Sequence, residues 1–162
     1  MSKPSILFLC AHNAARSQMA EALLRKHAGD RFEVVSAGLE PTAIHPLTTR
    51  VLNEIGVDVS DQKAKGLDGL MGKKTFQLAI IVCERTQRNC PTIYPFALQR
   101  LDWPFEDPAE AQGTEEEQLQ KFRDIRDQIE ARIRDWLKTQ RWLRSPFPEC
   151  QTFYEPEYSP NL

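Results

Sequence analysis

The stretch LFLCAHNAARSQMAEALL, residues 7–24, decides the fold. SILFLC (5–10) reads as a fully buried strand, and SQMAEALLRKHA (17–28) as a helix with Met19, Ala20, Leu23 and Leu24 on one face. Only six residues separate them. A strand that feeds a tight loop and then a helix N-terminus points backbone N–H groups into the loop. Such a nest, with the helix dipole behind it, binds a tetrahedral oxyanion. The same field favours a thiolate at Cys10, which makes it the candidate nucleophile. Arg16 offers a bidentate guanidinium fork to two oxygens of the anion. Ser17 is placed to donate a hydroxyl hydrogen bond to the sulfur. Asn13 suits the left-handed backbone that a curled loop needs. The backbones of His12, Ala14 and Ala15 complete the cradle, with the His12 side chain read as a surface group.

Outward from this unit the pattern repeats. FEVVSAG (32–38) reads as a second strand closed by Gly38, and PLTTRVLNEIG (46–56) as a helix entered at Pro46 and left at Gly56. FQLAIIVC (76–83) is a third buried strand and residues 97–103 a fourth. Residues 115–139 carry Leu119, Phe122, Ile125, Ile129, Ile133 and Trp136 at helical spacing, with Thr114 and Glu117 as a capping box. Strands alternating with helices imply an α/β fold, a four-stranded parallel sheet with helices on both faces. Ligands of such sheets bind outside the carboxyl ends of the strands. Cys10 and Cys83 each end a strand, so both belong to that rim.

The 162 residues fit one domain, drawn at 1–144, followed by a Pro- and aromatic-rich tail at 145–162 that reads as mobile. A net charge of −2 leaves no footprint for nucleic acid. The first residues hold no signal-peptide pattern and no run is long enough to cross a bilayer, which points to the cytoplasm and away from membranes. Cysteines stand at 10, 83, 90 and 150 without a Cys-x2-Cys pair, which argues against structural zinc and leaves redox, catalytic or buried roles.

CAHNAARSQMAEALL resembles the phosphate-binding loop of the low-molecular-weight protein tyrosine phosphatase superfamily. Within it the similarity is to the arsenate reductases recycled by thioredoxin. SAG (36–38) and FEDPA (105–109) extend the resemblance over residues 4–140. The loop departs from the common Cys-x-Gly-Asn-x-Cys-Arg-Ser in having His12 for the glycine and Ala15 for the second cysteine. The resemblance implies that Asp107, followed by Pro108, is the general acid for the leaving oxygen. Asp102, Glu106 and Glu110 are the neighbouring carboxylates that compete for that assignment. Ala109 stands where the phosphatases carry an aromatic residue, which weighs against an aryl phosphate substrate.

The resemblance also implies a relay. Reduction of arsenate to arsenite takes two electrons and hence a second thiol. Cys83 would attack a Cys10–arsenic adduct, and Cys90 would then attack Cys83 and carry the disulfide outward to a reductant. Were residues 83–90 one helix, the two Cα atoms would lie about 10 Å apart. A disulfide tolerates at most about 7 Å, so the segment has to loop. Some reductases of this group hold a potassium ion beside the loop. Asn13, Glu21 and Ser36 match its ligands here, but SDQKAKGLD (60–68) brings Lys63 and Lys65 where a carboxylate usually completes the site. The expectation is that a lysine ammonium, Lys65, replaces the ion and pairs with Glu21.

The leading reading is therefore an arsenate reductase with Cys10 as nucleophile, Arg16 as anion clamp, Asp107 as acid and Cys83 and Cys90 as resolving thiols. It would take arsenate or phosphate as the bound oxyanion. It would need no cofactor beyond an external thiol reductant, of thioredoxin or glutaredoxin type. A phosphatase that hydrolyses phosphomonoesters through a cysteinyl-phosphate is the alternative, with residual phosphatase activity compatible with either. A non-catalytic oxyanion sensor is a third.

Overall fold

The computed structural model describes residues 3–84 and 94–140. Four strands, β1 (Ser5–Cys10), β2 (Glu33–Gly38), β3 (Phe76–Cys83) and β4 (Ala97–Phe105), form one parallel sheet in the order β2-β1-β3-β4. The central pair is apolar on both faces. Every residue from Ile6 to Cys10 is buried, as is every residue from Leu78 to Cys83. That double burial is why these strands read as continuous hydrophobic runs rather than alternating ones.

Helices α1 (Arg16–Ala28), α2 (Pro46–Asn53) and α3 (Glu115–Thr139) connect and cover the sheet. α1 and α3 pack on one another, joined at the C-terminal end of α1 by His27 Nε2 and Glu130 Oε1 at 2.8 Å. They share the sheet face that presents Phe8 and Trp103, where Trp103 meets Trp136 of α3 edge-on at 6.0 Å between ring centroids.

The helix ends follow local chemistry. The Thr114 hydroxyl accepts the Glu117 N–H and starts α3. α2 leaves regular geometry at Asn53, three residues before the sequence places its exit. Its end is nevertheless a Schellman motif: Gly56, at φ 77°, donates to Asn53 O and Val57 donates to Leu52 O. β4 runs two residues beyond 103, through Pro104 to Phe105. It is an edge strand, so the missing proline N–H costs no ladder bond on its open side.

The strand order reverses at β1: the chain goes to one side for β2 and to the other for β3. Such a switch point opens a crevice at the carboxyl end of β1. Cys10 sits there. Register places Cys83 at the same end of the neighbouring strand, since Leu9 pairs with Ile81. The anticipated rim is thus assembled. Among the described residues no helix is long and apolar enough to cross a membrane. Cys90, Cys150, most of the 83–90 segment and the tail lie outside the described residues.

Candidate active site

The loop from Ala11 to Ala15 is held from outside by the segment that follows β2. Leu39 N–H donates to Cys10 O, Glu40 N–H to Ala11 O, Thr42 N–H to His12 O and His45 N–H to Ala14 O, at 2.9–3.3 Å. The Thr48 hydroxyl adds a second bond to Ala14 O at 3.0 Å. In a trans peptide the N–H of the next residue points opposite to the carbonyl. With these carbonyls anchored outward, the N–H groups of Ala11, His12, Asn13 and Ala15 face the other way, toward the hollow of the loop. Asn13 N–H lies 3.1 Å from Cys10 Sγ. This is the nest expected from the strand–loop–helix pattern.

Two residues permit the curl. Asn13 has φ 51°, the one non-glycine residue with positive φ among the described residues, and is fully buried. Gly38 passes so close beneath the loop that a Cβ there would lie 2.7 Å from Asn13 N and 2.9 Å from Ala11 O.

The Asn13 side chain is the hub under the thiol. Its Nδ2 donates to Ser17 Oγ at 2.8 Å and to Ser36 Oγ at 2.9 Å, while its Oδ1 accepts from Gln18 Nε2 and from Lys65 N–H, both at 2.8 Å. Because Ser17 Oγ takes the amide proton of Asn13, its own hydrogen is available to Cys10 Sγ, 2.8 Å away. Cys10 is a free thiol, buried to 2% exposure. The Ser17 hydroxyl thus stands within hydrogen-bond distance of the sulfur, beside the Asn13 N–H that points at it.

Below the hub, Ser36 donates to Glu21 Oε2 at 2.6 Å. Glu21 is itself buried and compensated by two cations, Arg25 at 2.8 Å from Oε1 and Lys65 Nζ at 3.7 Å from Oε2. Gln62 Nε2 bridges Glu21 Oε2 and Gln18 Oε1. Asn13, Glu21 and Ser36 are therefore together. With an ammonium beside the carboxylate and Arg25 on its other oxygen, the donor set does not fit a further cation. Among the described residues no cluster of acidic, cysteine and histidine side chains would hold a metal.

Arg16 is 3% exposed and lines the pocket, but its fork is occupied in a way the sequence does not foretell. Nη1 donates to Phe105 O at 3.0 Å and Nη2 lies 3.3 Å from Asp107 Oδ2. The two residues by which β4 outruns its expected end supply that carbonyl. Asp107 Oδ1 accepts Ala109 N–H at 3.0 Å and so starts the short 3-10 turn Pro108–Glu110. Asp107, not Asp102, Glu106 or Glu110, is the carboxylate that lines the pocket with Cys10 and Arg16. The pocket measures about 160 Å³, and its remaining wall is small or polar: His12, Ala14, Ala15, Thr42, Ala43, His45 and Ala109. Cys83 is disulfide-bonded.

Sequence reasoning missed Gln18, Gln62 and His45. The glutamines sit in no motif, and only the fold brings residue 62 against α1. His45 caps α2 with an imidazole, Leu47 N–H donating to Nδ1 at 3.1 Å. That lies outside the Ser/Thr/Asp/Asn signature by which caps are read. The Pro46 that follows it was the visible signal.

Comparison with known proteins agrees with this geometry. Residues 5–143 match the family model described as low molecular weight phosphotyrosine protein phosphatase. An arsenate reductase of Halalkalibacterium halodurans is 39% identical over 139 residues, covering 86% of this chain and 99% of that one. Among solved structures, an arsenate reductase in a phosphate-binding state superposes with a TM-score of 0.70 at 26% identity, covering 84% of this chain and 98% of that one. A thioredoxin-dependent arsenate reductase of Corynebacterium glutamicum gives a TM-score of 0.62 at 36% identity, covering 85% of this chain and 61% of that one. With a thiol-bearing anion loop on a four-stranded parallel sheet, and a family match over most of its length, the chain belongs to the low molecular weight phosphotyrosine protein phosphatase family.

Proposed function

We propose that this protein is an arsenate reductase that works through a cysteine relay. The Cys10 thiolate attacks arsenic, Asp107 protonates the departing oxygen, and water leaves from a Cys10–S–As(V) adduct. Cys83 then attacks Cys10 Sγ. The S–As electron pair stays on arsenic, which leaves as arsenite, and a Cys10–Cys83 disulfide remains. Attack of Cys90 on Cys83 frees Cys10 and leaves a Cys83–Cys90 disulfide for an external dithiol to reduce. No other cofactor enters. A thioredoxin-type reductant is favoured by the likeness to the thioredoxin-dependent enzyme of Corynebacterium glutamicum, and a reducing cytoplasm is the compartment in which such a cycle turns over.

The observation that carries the reading is the pairing of a free, buried Cys10 with an oxidised Cys83 at the same end of the adjacent strand. The last intramolecular step of the relay likewise leaves Cys10 free and Cys83 oxidised. Hydrolysis of a phosphomonoester calls for Cys10 alone. The pocket wall adds to this: among the described residues no Phe, Tyr or Trp lines it to sandwich an aryl ring, and Ala109 stands on its wall.

The decisive experiment counts thiols on fully reduced protein in a single turnover under argon. Addition of arsenate should remove two thiols per chain, form one arsenite and yield a disulfide mapped to Cys83 and Cys90. Survival of all four thiols would discard the relay and leave the phosphatase, with release of p-nitrophenol from its phosphate as the readout.

A further inference from the structure

We propose that His12 and His45 form an acceptor–donor pair on the pocket rim that selects an oxyanion still carrying an O–H group over a phosphomonoester. This rests on the preceding reading that the pocket takes a free inorganic oxyanion. Both side chains are half-buried and both line the pocket with Cys10 and Arg16.

Their tautomers are fixed by what each Nδ1 touches. His12 Nδ1 lies 3.1 Å from Glu40 O, and a carbonyl oxygen only accepts, so the proton of the neutral ring sits on Nδ1. His12 Nε2 is then a bare acceptor. His45 Nδ1 receives the Leu47 N–H, so it is the bare nitrogen and the proton sits on Nε2. The two rings bordering one pocket thus carry opposite polarity at Nε2. Neither Nε2 has a hydrogen-bond partner among the described residues.

The rings are also held in place. His45 is anchored by its N–H on Ala14 O, by its cap on α2 and by its face against Phe122, 4.7 Å between centroids. His12 is tied by its backbone carbonyl to Thr42 and by Nδ1 to Glu40. A free arsenate or phosphate dianion keeps one O–H, which His12 Nε2 can accept, and an oxygen lone pair, which His45 Nε2–H can meet. A monoester dianion has carbon where the O–H would be and offers nothing to His12.

The test compares inorganic phosphate with methyl phosphate, both inert to reduction, by calorimetry on the reduced full chain at mildly alkaline pH, where both are dianions. Loss of one net hydrogen bond predicts that the wild-type preference for inorganic phosphate falls about three- to tenfold in His12→Leu, which keeps similar bulk. His12→Gln retains an accepting carbonyl and should keep the preference. His45→Asn retains a cap for α2 and should weaken both anions by a similar factor, with the melting temperature reporting that the cap survives. An unchanged phosphate-to-ester ratio in His12→Leu overturns the proposal, as does a wild type that binds both anions equally. Failure of either anion to bind overturns it as well. Arsenate turnover on the same sample then separates that outcome from failure of the reductase reading.

Discussion

Gly38→Ala is the sharpest test of how the anion loop is built, because the added methyl has nowhere to go. Its Cβ would lie 2.7 Å from Asn13 N, 2.9 Å from Ala11 O and 2.9 Å from His12 C, all backbone atoms. Ordinary contact begins at 3.4 Å, so something has to move by about 0.7 Å, the difference between 3.4 and 2.7. β2 is the firmer side: Gly38 is paired to Cys10 on one flank and bridged to Gly66 on the other, with its N–H on Lys65 O. The loop yields instead, and its N–H groups turn away from the anion. Overpacking of this kind costs about 1–3 kcal/mol. For a chain of this length each kcal/mol lowers the melting temperature by about 2–4 °C. The chemical loss is separate from the stability loss, because a 1 Å misplacement of reacting groups costs about a hundredfold in rate. A shift of 0.7 Å therefore predicts a fall in single-turnover arsenate reduction on the order of ten- to a hundredfold, with weaker phosphate binding. Thermal melting, phosphate calorimetry and single-turnover arsenite formation measure the three effects. A variant that binds phosphate and turns over like the wild type would refute the close approach as the reason for glycine at this position.

Asp107→Asn keeps an oxygen for the Ala109 N–H and removes only the proton and the charge. Arsenite formation in a single turnover should slow by about 10²–10⁴-fold. Phosphate affinity should hold or rise as Arg16 loses its carboxylate partner, and a near-normal rate would reassign the acid. Glu54 tests the clamp between α2 and α3: hydrogen bonds from Arg123, then the charges of Arg123 and Arg126, outweigh a desolvation cost and hold its carboxyl below its ordinary value of 4.5. A depressed carboxylate contributes stability that is present above that value and lost as pH falls through the folded one. The melting-temperature gap between wild type and Glu54→Gln should therefore be full at neutral pH and close below 4.5, and a gap independent of pH would rule the ion cluster out as its cause. Lys65 tests the internal cation: wild-type melting should be equal in matched potassium and sodium chloride, and Lys65→Asp should acquire a potassium-specific gain. A potassium-specific gain already in the wild type would show that the ammonium does not replace the ion.

The sequence reveals the parts of this fold that rest on local physics. β1 and β3 are legible because both faces of each are buried, and α3 because its apolar stripe is long and its cap conventional. The anion loop is legible because six residues between a buried strand and a helix leave the backbone little choice. What the sequence conceals is contact at a distance. The continuation of β4 through Pro104 is hidden because an edge strand tolerates a residue that a central strand would not, and with it goes the carbonyl that holds Arg16. Gln18 and Gln62 carry no signal in the sequence, and only the loop before Lys65 folding against α1 brings them together. His12 reads as a bystander from its position, and only its bond to Glu40 gives its ring a defined polarity.

The buried polar groups around Cys10 explain one another once the loop is treated as a device with two supports. From above, the backbone after β2 binds the loop's carbonyls; from below, the Asn13 side chain accepts from Gln18 of α1 and the Lys65 backbone and donates to Ser36 of β2. Asn13, Ser17, Ser36 and Glu21 are all nearly inaccessible, a placement that would be costly if any donor or acceptor went unmet. Among the described residues none does. A fully satisfied network of this kind is rigid, and rigidity is what an anion site requires, since donors already aimed at the charge need no reorganisation when it arrives. Glu21 then has a structural reason to be buried beneath a site for anions. It fixes Ser36, which fixes Asn13, while Arg25 and Lys65 cancel its charge so that the pocket above keeps the field of the loop and of Arg16. Neutralising Lys65 should therefore weaken phosphate binding even though Lys65 does not line the pocket, and phosphate calorimetry on Lys65→Met measures that transmitted effect directly. Undiminished affinity in that variant would confine the role of Lys65 to local stability.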